Sequence, residues 1–382
     1  MSGGQNLRVT HIVSGDLWAG AEVQCFQLLR SLAEDGAVSP RAIVLNEGEL
    51  ASRAAAAGIE VCVIPEARHT PVELYRRITR ELRAQAPQLV HTHRGKENII
   101  GSLAARSAGV AASIRTAHGA SEHAPAGLAP RKRLLGWLDR LAAQRWQRRV
   151  VAVSDDLAGQ LREQFGAERV TVIRNGIDVA RTLAEAHGAA LPGRPDTLKI
   201  GFIGRLAPVK RLDVFLGVAA ALHAALPGRI EFYVIGDGPD APRARAALGA
   251  ATLPLHVLGF RRDALPLLRG LHALLLTSDH EGTPMVVLEA MCLRVLVAAH
   301  AVGGLPALLG GGSSGLLVPS QRPEEWVARL APLLTDAARR DELTEQGYSA
   351  VNAHWSAAAN ARQYAQLYRE CVAEAQGESS NA

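Results

Sequence analysis

The sequence predicts an α/β protein of two domains, each a parallel sheet covered by helices on both faces, and three observations carry that reading. A chain of 382 residues is long for one core and fits two domains at roughly 150 residues each. Short continuous apolar runs alternate with longer segments of helical periodicity; continuous runs mark strands buried on both faces, whereas an exposed antiparallel face would show alternation. Two stretches also open alike, as strand, Gly-containing turn and helix: HIVSGDLWAGAE from His11 and IGFIGRLAPVKR from Ile200. Together these describe two similar nucleotide-fold, Rossmann-like domains, in which ligands bind beyond the carboxyl ends of the strands; with two facing domains, the cleft between them is the expected site.

In order, the first series of strands is predicted at 8–13, 41–45, 59–64, 88–91, 113–116, 150–153 and 170–173. The second runs through 198–203, 230–236, 255–258, 273–277, 295–299 and 316–318. Between them, HGAALPGRPDT (187–197) has two Pro, two Gly and almost nothing bulky and apolar, and reads as a linker. The domains are therefore expected at 1–186 and 198–355, followed by a C-terminal helix at 356–376 that packs back on the first domain and a tail at 377–382.

Composition excludes several classes. With 48% hydrophobic and 21% charged residues, the chain is not largely disordered. A net charge of +5 is too small for a dedicated nucleic-acid binder. That charge is local: the segment from Arg131 to Arg149 holds seven Lys/Arg against Asp139 alone, and a cationic patch speaks of a partner surface such as an anionic membrane. This segment reads as a helix with Leu134, Leu135, Trp137, Leu138, Leu141, Ala142 and Trp146 on an apolar arc into which Arg145 intrudes, so core packing competes with an interfacial role. Cys25, Cys62, Cys292 and Cys371 have neither disulfide-framework nor zinc-ligand spacing and are expected as buried free thiols. No run approaches the roughly 18 apolar residues of a membrane span, and the start lacks an apolar leader, so the expected location is cytoplasmic, at the inner membrane face if the patch engages lipid.

Two constellations carry chemistry. EGTPMVVLEAM (281–291) follows an apolar strand; Thr283 suits an N-cap and Pro284 the first helical position, leaving the amides of Met285, Val286 and Val287 largely free. Such a helix start, with its partial positive charge, is an anion site suited to a diphosphate. Glu281 before the helix and Glu289 inside it would accept hydroxyl hydrogen bonds from sugar and ribose; the plain alternative is a capped helix with solvated acids. GRLAPVKR (204–211) supplies Arg205 for bidentate phosphate contact and Lys210 as a point charge, with a solvated basic turn as its plain alternative. No DxD pair occurs, consistent with cations and a helix dipole neutralising a departing diphosphate in place of magnesium.

Taken with HTHRGKENIIGSLAAR (91–106), RTAHG (115–119), VAVSDDL (151–157), VIRNGID (172–178), VIGDGPD and AVGGLP, the ordered set resembles glycosyltransferase family 4, the retaining enzymes of the GT-B fold, over nearly the whole chain. The resemblance implies metal-independent transfer of a sugar from a nucleotide-sugar, a UDP-sugar first, to a hydroxyl of a bacterial glycan or lipid-linked acceptor in polysaccharide or lipopolysaccharide biosynthesis, with the first domain binding acceptor and the second donor. No cofactor or metal and no nucleic acid is expected. It implies that Arg205 and Lys210 hold the donor diphosphate, with Gly282, Thr283, Pro284, Met285 and Val286 forming the loop and helix start around it. Glu289 would bind the ribose, Glu281 the transferred sugar, and the backbone near Gly259 and Phe260 the base. His118 would lie at the reacting face, acting through its ring or its carbonyl, although a histidine before Gly at a strand end is also an ordinary turn residue. Gly20 would bring an acceptor-side loop against the phosphates, and His91, His93 and Lys96 would line the acceptor pocket, unless they are simply a helix entry. The chain departs from the family at Ala19, Arg211, Arg294, Leu296 and Ala307. A nucleotide-sugar 2-epimerase of the same fold and a non-catalytic nucleotide or glycan binder are the alternatives.

Overall fold

The computed structural model describes residues 6–16, 18–119, 130–249 and 253–380. Contacts divide the chain into two units, 1–176 with 357–382, and 177–356. The first contains a seven-stranded parallel sheet in the order β3-β2-β1-β4-β5-β6-β7: β1 Leu7–Val13, β2 Val38–Val44, β3 Glu60–Val63, β4 Leu89–His93, β5 Ala112–Ala117, β6 Arg149–Ala152 and β7 Val170–Val172. The second contains six parallel strands in the order β10-β9-β8-β11-β12-β13: β8 Leu198–Ile203, β9 Ile230–Ile235, β10 Leu255–Gly259, β11 Ala273–Leu276, β12 Leu296–His300 and β13 Leu316–Val318. Every predicted strand is present, because continuous apolar runs between helices leave no other way to bury both faces. In each unit, successive strands run to opposite sides of the first, so a switch point opens beside β1 in one and β8 in the other.

The helices of the first unit are α1 Gly20–Asp35, α2 Glu49–Ala56, α3 Pro71–Gln85, α4 Gly95–Ser107, α5 Pro130–Trp146, α6 Asp155–Phe165 and, from the far end of the chain, α15 Ala357–Ser380. Local chemistry explains several ends. Thr70 and Glu73 form a reciprocal capping box with Pro71 in the first turn of α3, and Gly36 at φ 74° closes α1. One core layer joins Leu28 and Leu32 of α1 to Tyr364, Tyr368 and Cys371 of α15, all buried over β1, β4 and β5. The second unit adds α7 Val179–Glu185, α8 Leu212–Ala225, α9 Ala241–Gly249, α10 Ala264–Arg269, α11 Met285–Cys292, α12 Leu305–Leu308, α13 Pro323–Thr335 and α14 Ala337–His354. Trp326 of α13 is fully buried among Phe202, Phe215 and Phe232.

The chain passes from the first unit to the second at Gly176/Ile177, ahead of the expected linker at 187–197. The reason is local: α7 packs against α10 and α11, and the backbone of Arg194 and the hydroxyl of Thr197 donate to the Glu231 carboxylate, so 187–197 is fastened to the second sheet. Three residues of the expected apolar arc on α5 also depart from core packing. Leu134, Leu135 and Trp137 are exposed, while Ala142 is buried. Asp139 is buried and turns this helix inward, accepting from Asn98 at 2.6 Å and from Arg115 at 3.0 Å.

Candidate active site

In the second unit, glycines let three loops crowd the carboxyl ends of β8, β9 and β10. Gly236, at φ 141°, has its Cα so close to Gly204 that a Cβ would meet the Gly204 carbonyl at 1.9 Å, and its amide donates to the Gly259 carbonyl at 2.8 Å. The loop after β8 is further pinned by the Leu206 amide donating to the Asp237 carbonyl. It is tied to the loop after β11 by the Asp279 amide donating to the Val209 carbonyl, and by the Thr277 hydroxyl donating to the Lys210 and Arg211 carbonyls.

This framework brings Lys210 onto Glu281. The ammonium donates to both carboxylate oxygens, at 2.7 and 2.9 Å, and the Ser278 hydroxyl donates to Oε1 at 2.6 Å. Glu281 is 6% exposed and its partner Lys210 about a third, so the pair sits at a boundary where charge-assisted bonds outweigh exposed ion pairs. Behind it, Gly303 at φ 56° presses on the Glu281 backbone, where a Cβ would lie 1.9 Å from the carbonyl oxygen, and the Gly304 amide donates to that oxygen. The AVGGLP segment is thus a mould for Glu281, a role invisible in its own composition.

Arg205 is exposed and has no side-chain partner among the described residues. Helix α11 begins one residue later than expected. Pro284, at φ −70° and ψ 125°, occupies the N-cap, and Val287 donates back to its carbonyl at 3.1 Å. Of the three expected amides, those of Met285 and Val286 thus have no acceptor among the described residues, while Val287 is engaged. Gly282 and Thr283 are buried, Glu289 is half-buried on α11 with a partner, and Phe260 stands 48% exposed beyond Gly259. Arg205, Lys210, the 281–286 segment and Gly259 therefore share the carboxyl end of one sheet.

Two departures from the family sit where the backbone is left-handed. Arg211 has φ 51° and Arg294 φ 56°, the region glycine favours. Each arginine is held by its side chain instead: Arg211 by Asp213, Asp279 and Gln321, and Arg294 by Glu345 and by stacking 3.6 Å from the Tyr348 ring centre. Ala307 lies exposed in α12 and Leu296 is buried at the start of β12.

In the first unit, Gly20 starts α1, after Ala19 in extended conformation, and a Cβ there would meet nothing within 4 Å. Lys96 is half exposed and paired with Glu66. His91 and His93 are fully buried and offer no surface to a dissolved acceptor. The reason is their place at the centre of the sheet under α1 and α15, where their ring nitrogens are engaged. His91 contacts the Tyr368 and Thr116 hydroxyls, each at 2.8 Å, and His93 contacts His11 at 3.1 Å and His118 at 3.2 Å. Burial holds His11, His91 and His118 well below the usual imidazole range. With Arg94 nearby as a lesser cause, it pushes His93 down to about 3, so these rings stay neutral. His118 keeps a partly exposed edge at the end of β5.

A pair that sequence reading missed lies beside them: Glu22, fully buried in the AGAE segment, meets Arg94 at 2.7 Å, and burial raises its carboxyl above the usual range. Only its spacing after Gly20 could have drawn notice. The cationic segment is partly spent internally. Arg148 pairs with Glu378 and Arg149 with Glu374, both on α15, while Arg140 and Arg145 are exposed; the side chains of Arg131, Lys132 and Arg133 lie outside the described residues. No helix among the described residues is long and apolar enough to cross a membrane.

Comparison with known proteins bears on the family and the fold. The family model described as Glycosyltransferase Family 4 matches residues 18–181, and that described as Glycosyl transferases group 1 matches 197–336. A D-inositol 3-phosphate glycosyltransferase of Geodermatophilus obscurus is 32% identical over 67% of this chain and 60% of its own length, so the match leaves about two fifths of that relative uncovered. One from Saccharomonospora viridis is 29% identical over 86% of this chain and 80% of the relative. The alpha-D-kanosaminyltransferase of Streptomyces kanamyceticus is 32% identical over about half of each chain. Among solved structures, HepE of Anabaena in complex with UDP-glucose superposes with a TM-score of 0.80 at 18% identity, covering 96% of this chain and all of that one. The lipopolysaccharide-biosynthesis glycosyltransferase WaaG gives 0.73 at 17%, covering 95% and 99%. The two family matches, the two parallel-sheet units and the shared GT-B fold establish that this chain belongs to glycosyltransferase family 4.

Proposed function

We propose that the protein transfers a sugar, with retention, from a nucleotide-sugar, a UDP-sugar first, to a hydroxyl of a bacterial glycan or lipid-linked acceptor. The observation that carries this is the loop pair at Lys210 and Glu281, a cation clamped on a carboxylate, with Arg205 and the amides of Met285 and Val286 unpartnered among the described residues. A diphosphate arriving there meets two cations and a helix start, while Glu281 and Glu289 accept sugar and ribose hydroxyls. Departure of the diphosphate is aided by the same groups, which act where negative charge grows. In this reading no metal bridges the diphosphate, the base rests near Gly259 and Phe260, and His118 meets the reacting face with its exposed edge. The acceptor side is Gly20 and Lys96; His91 and His93 act from beneath as interior supports. The names of HepE and its UDP-glucose complex support the donor class.

The membrane contact in this proposal uses Leu134, Leu135 and Trp137, with Arg140 and Arg145, all exposed on α5, where apolar and cationic groups suit an anionic bilayer surface. Incubation with UDP-, GDP- and ADP-sugars, with products read by mass spectrometry, tests the function. Turnover of one donor that is lost in Lys210→Ala and Glu281→Ala variants is expected. Donor binding with no hydrolysis or transfer would favour the non-catalytic binder, and conversion of donor without acceptor the epimerase.

A further inference from the structure

The polar layer buried between the first sheet and helices α1 and α15 is one continuous chain of hydrogen bonds, and its outer end is His118. His118 Nε2 meets His93 Nδ1 at 3.2 Å, His93 Nε2 meets His11 Nδ1 at 3.1 Å, and His11 Nε2 meets the Tyr368 hydroxyl at 3.4 Å. That hydroxyl also meets His91 Nδ1 at 2.8 Å, and His91 Nε2 continues through the Thr116 hydroxyl at 2.8 Å to that of Tyr364 at 2.9 Å. His118 Nδ1 has no partner among the described residues. The ring centroids of the His11/His93 and His93/His118 pairs stand 5.3 and 5.4 Å apart, with planes 22° and 21° from parallel. Each separation nearly equals the N···N distance plus two ring radii, so the nitrogens point at one another along their ring planes, as a linear N–H···N bond requires.

Such a chain fixes where its protons lie. Burial keeps the four rings neutral, and a neutral imidazole carries one N–H and one bare nitrogen. A link between two rings needs a donor on one and a bare nitrogen on the other, so the tautomer of each ring dictates that of the next. Two observations set the direction. The Tyr368 hydroxyl has one proton for two neighbours; the 2.8 Å contact to His91 Nδ1 has the length of an O–H donation, which leaves the oxygen to accept the longer contact from His11 Nε2–H. At His93 Nε2, Cys25 Sγ lies 3.6 Å away in addition to His11 Nδ1. A proton on that nitrogen serves both neighbours, sulfur being a weak acceptor, whereas a single lone pair there could accept from only one. Both observations make His11 and His93 Nε2–H tautomers, and His93 Nδ1 is then bare and accepts from His118 Nε2–H.

We infer that Tyr368, acting through His11 and His93, holds His118 as its Nε2–H tautomer and leaves a bare Nδ1 to accept a hydrogen bond from a substrate hydroxyl. Tyr368 is thereby a positioning residue for the transfer reaction, supplied by the last helix of the chain. The inference rests on the reading that places His118 at the reacting face, and it adds the polarity of that contact. A hydroxyl of the sugar or of the acceptor suits a bare nitrogen; an ionised phosphate oxygen, which brings no proton, does not.

The test uses the full chain labelled with 15N at histidine, the His118 signals being identified by their loss in His118→Ala. Two- and three-bond 1H–15N correlation spectra at pH 7 distinguish the tautomers. The wild-type ring is expected as a single Nε2–H species; an Nδ1–H species, a mixture of tautomers or a protonated ring overturns the inference without any variant. In Tyr368→Phe, with folding followed by circular dichroism and the unfolding midpoint, the His118 nitrogens are expected to shift toward the values of a tautomer mixture. In the same variant kcat is expected to fall about 10- to 100-fold, with the donor KM within about twofold of wild type. A lowered midpoint with the His118 spectrum and kcat unmoved makes Tyr368 a structural group alone and overturns its positioning role. If Tyr368→Phe does not fold, His11→Gln carries the same readouts. Full activity in His118→Ala overturns the placement of His118 at the reacting face, separately from the proton chain, which the wild-type spectrum reports by itself.

Discussion

The carboxyl ends of the two sheets are spent in opposite ways. At β8 and β11, charged side chains stay at the boundary with solvent: Arg205 is unpartnered among the described residues, Lys210 is partly exposed, and the Met285 and Val286 amides are open. At β1 and β4 the polar groups go inward, and His11, His91, His93, Thr116, Tyr364 and Tyr368 satisfy one another under two helices. Equivalent strand ends of one topology can thus hold a ligand or hold the domain, and burial decides between them.

The largest expected effect falls on the open end. Lys210→Ala should lower kcat/KM by about 100- to 1,000-fold, as loss of a group that stabilises developing charge does, with an unchanged circular dichroism spectrum. Activity within threefold of wild type would erase the distinction drawn between the two ends. Next is Gly303→Ala. Left-handed backbone alone costs about 1–3 kcal/mol, and the 1.9 Å approach to the Glu281 carbonyl adds to it, so both unfolding midpoint and turnover should fall together. A stable variant with normal kinetics would show that the mould around Glu281 is dispensable.

On the buried end, Tyr364→Phe removes the hydroxyl 2.9 Å from Thr116 and should cost about 1–2 kcal/mol in chemical denaturation, with KM for donor unchanged. A change in KM without a change in stability would place this layer among the ligand-binding groups. The smallest effect belongs to Arg148→Ala, which breaks an ion pair with the exposed Glu378. Less than about 1 kcal/mol is expected, shrinking further at high salt.

Much of the fold was legible because parallel strands between helices write themselves as continuous apolar runs, and all thirteen are present as read. The residues we propose for the donor side stood out for a related reason: GRLAPVK and EGTPMVVLEAM each lie within one loop or one helix start. What escaped was non-local. Nothing near His91 tells that Tyr368, far along the chain, will cap it, and HTHRGK reads as well as a pocket rim as it does as a strand centre. Arg148 and Arg149 counted as free cations until α15 brought Glu378 and Glu374 to them. The linker misplacement has the same source, since the Pro- and Gly-rich composition of 187–197 does not show that Glu231 will bind it. Conversely, the left-handed φ at Arg211 and Arg294 lies in the region glycine favours, and the ion pairs on the two side chains hold it without one.

Because 357–382 belongs to the first unit, that unit is discontinuous, and 177–356 is inserted within it. The two ends of the insert are laced together, the Ile177 amide donating to the Trp355 carbonyl at 2.7 Å. During synthesis the second unit is complete before the last helix of the first has left the ribosome. Until then Leu28, Leu32, Leu89 and Ile114 lack the cover that Tyr364, Tyr368 and Cys371 provide. The order of maturation on the ribosome is therefore the reverse of the order of the sequence, and the apolar face awaiting α15 is the surface a nascent-chain chaperone would meet.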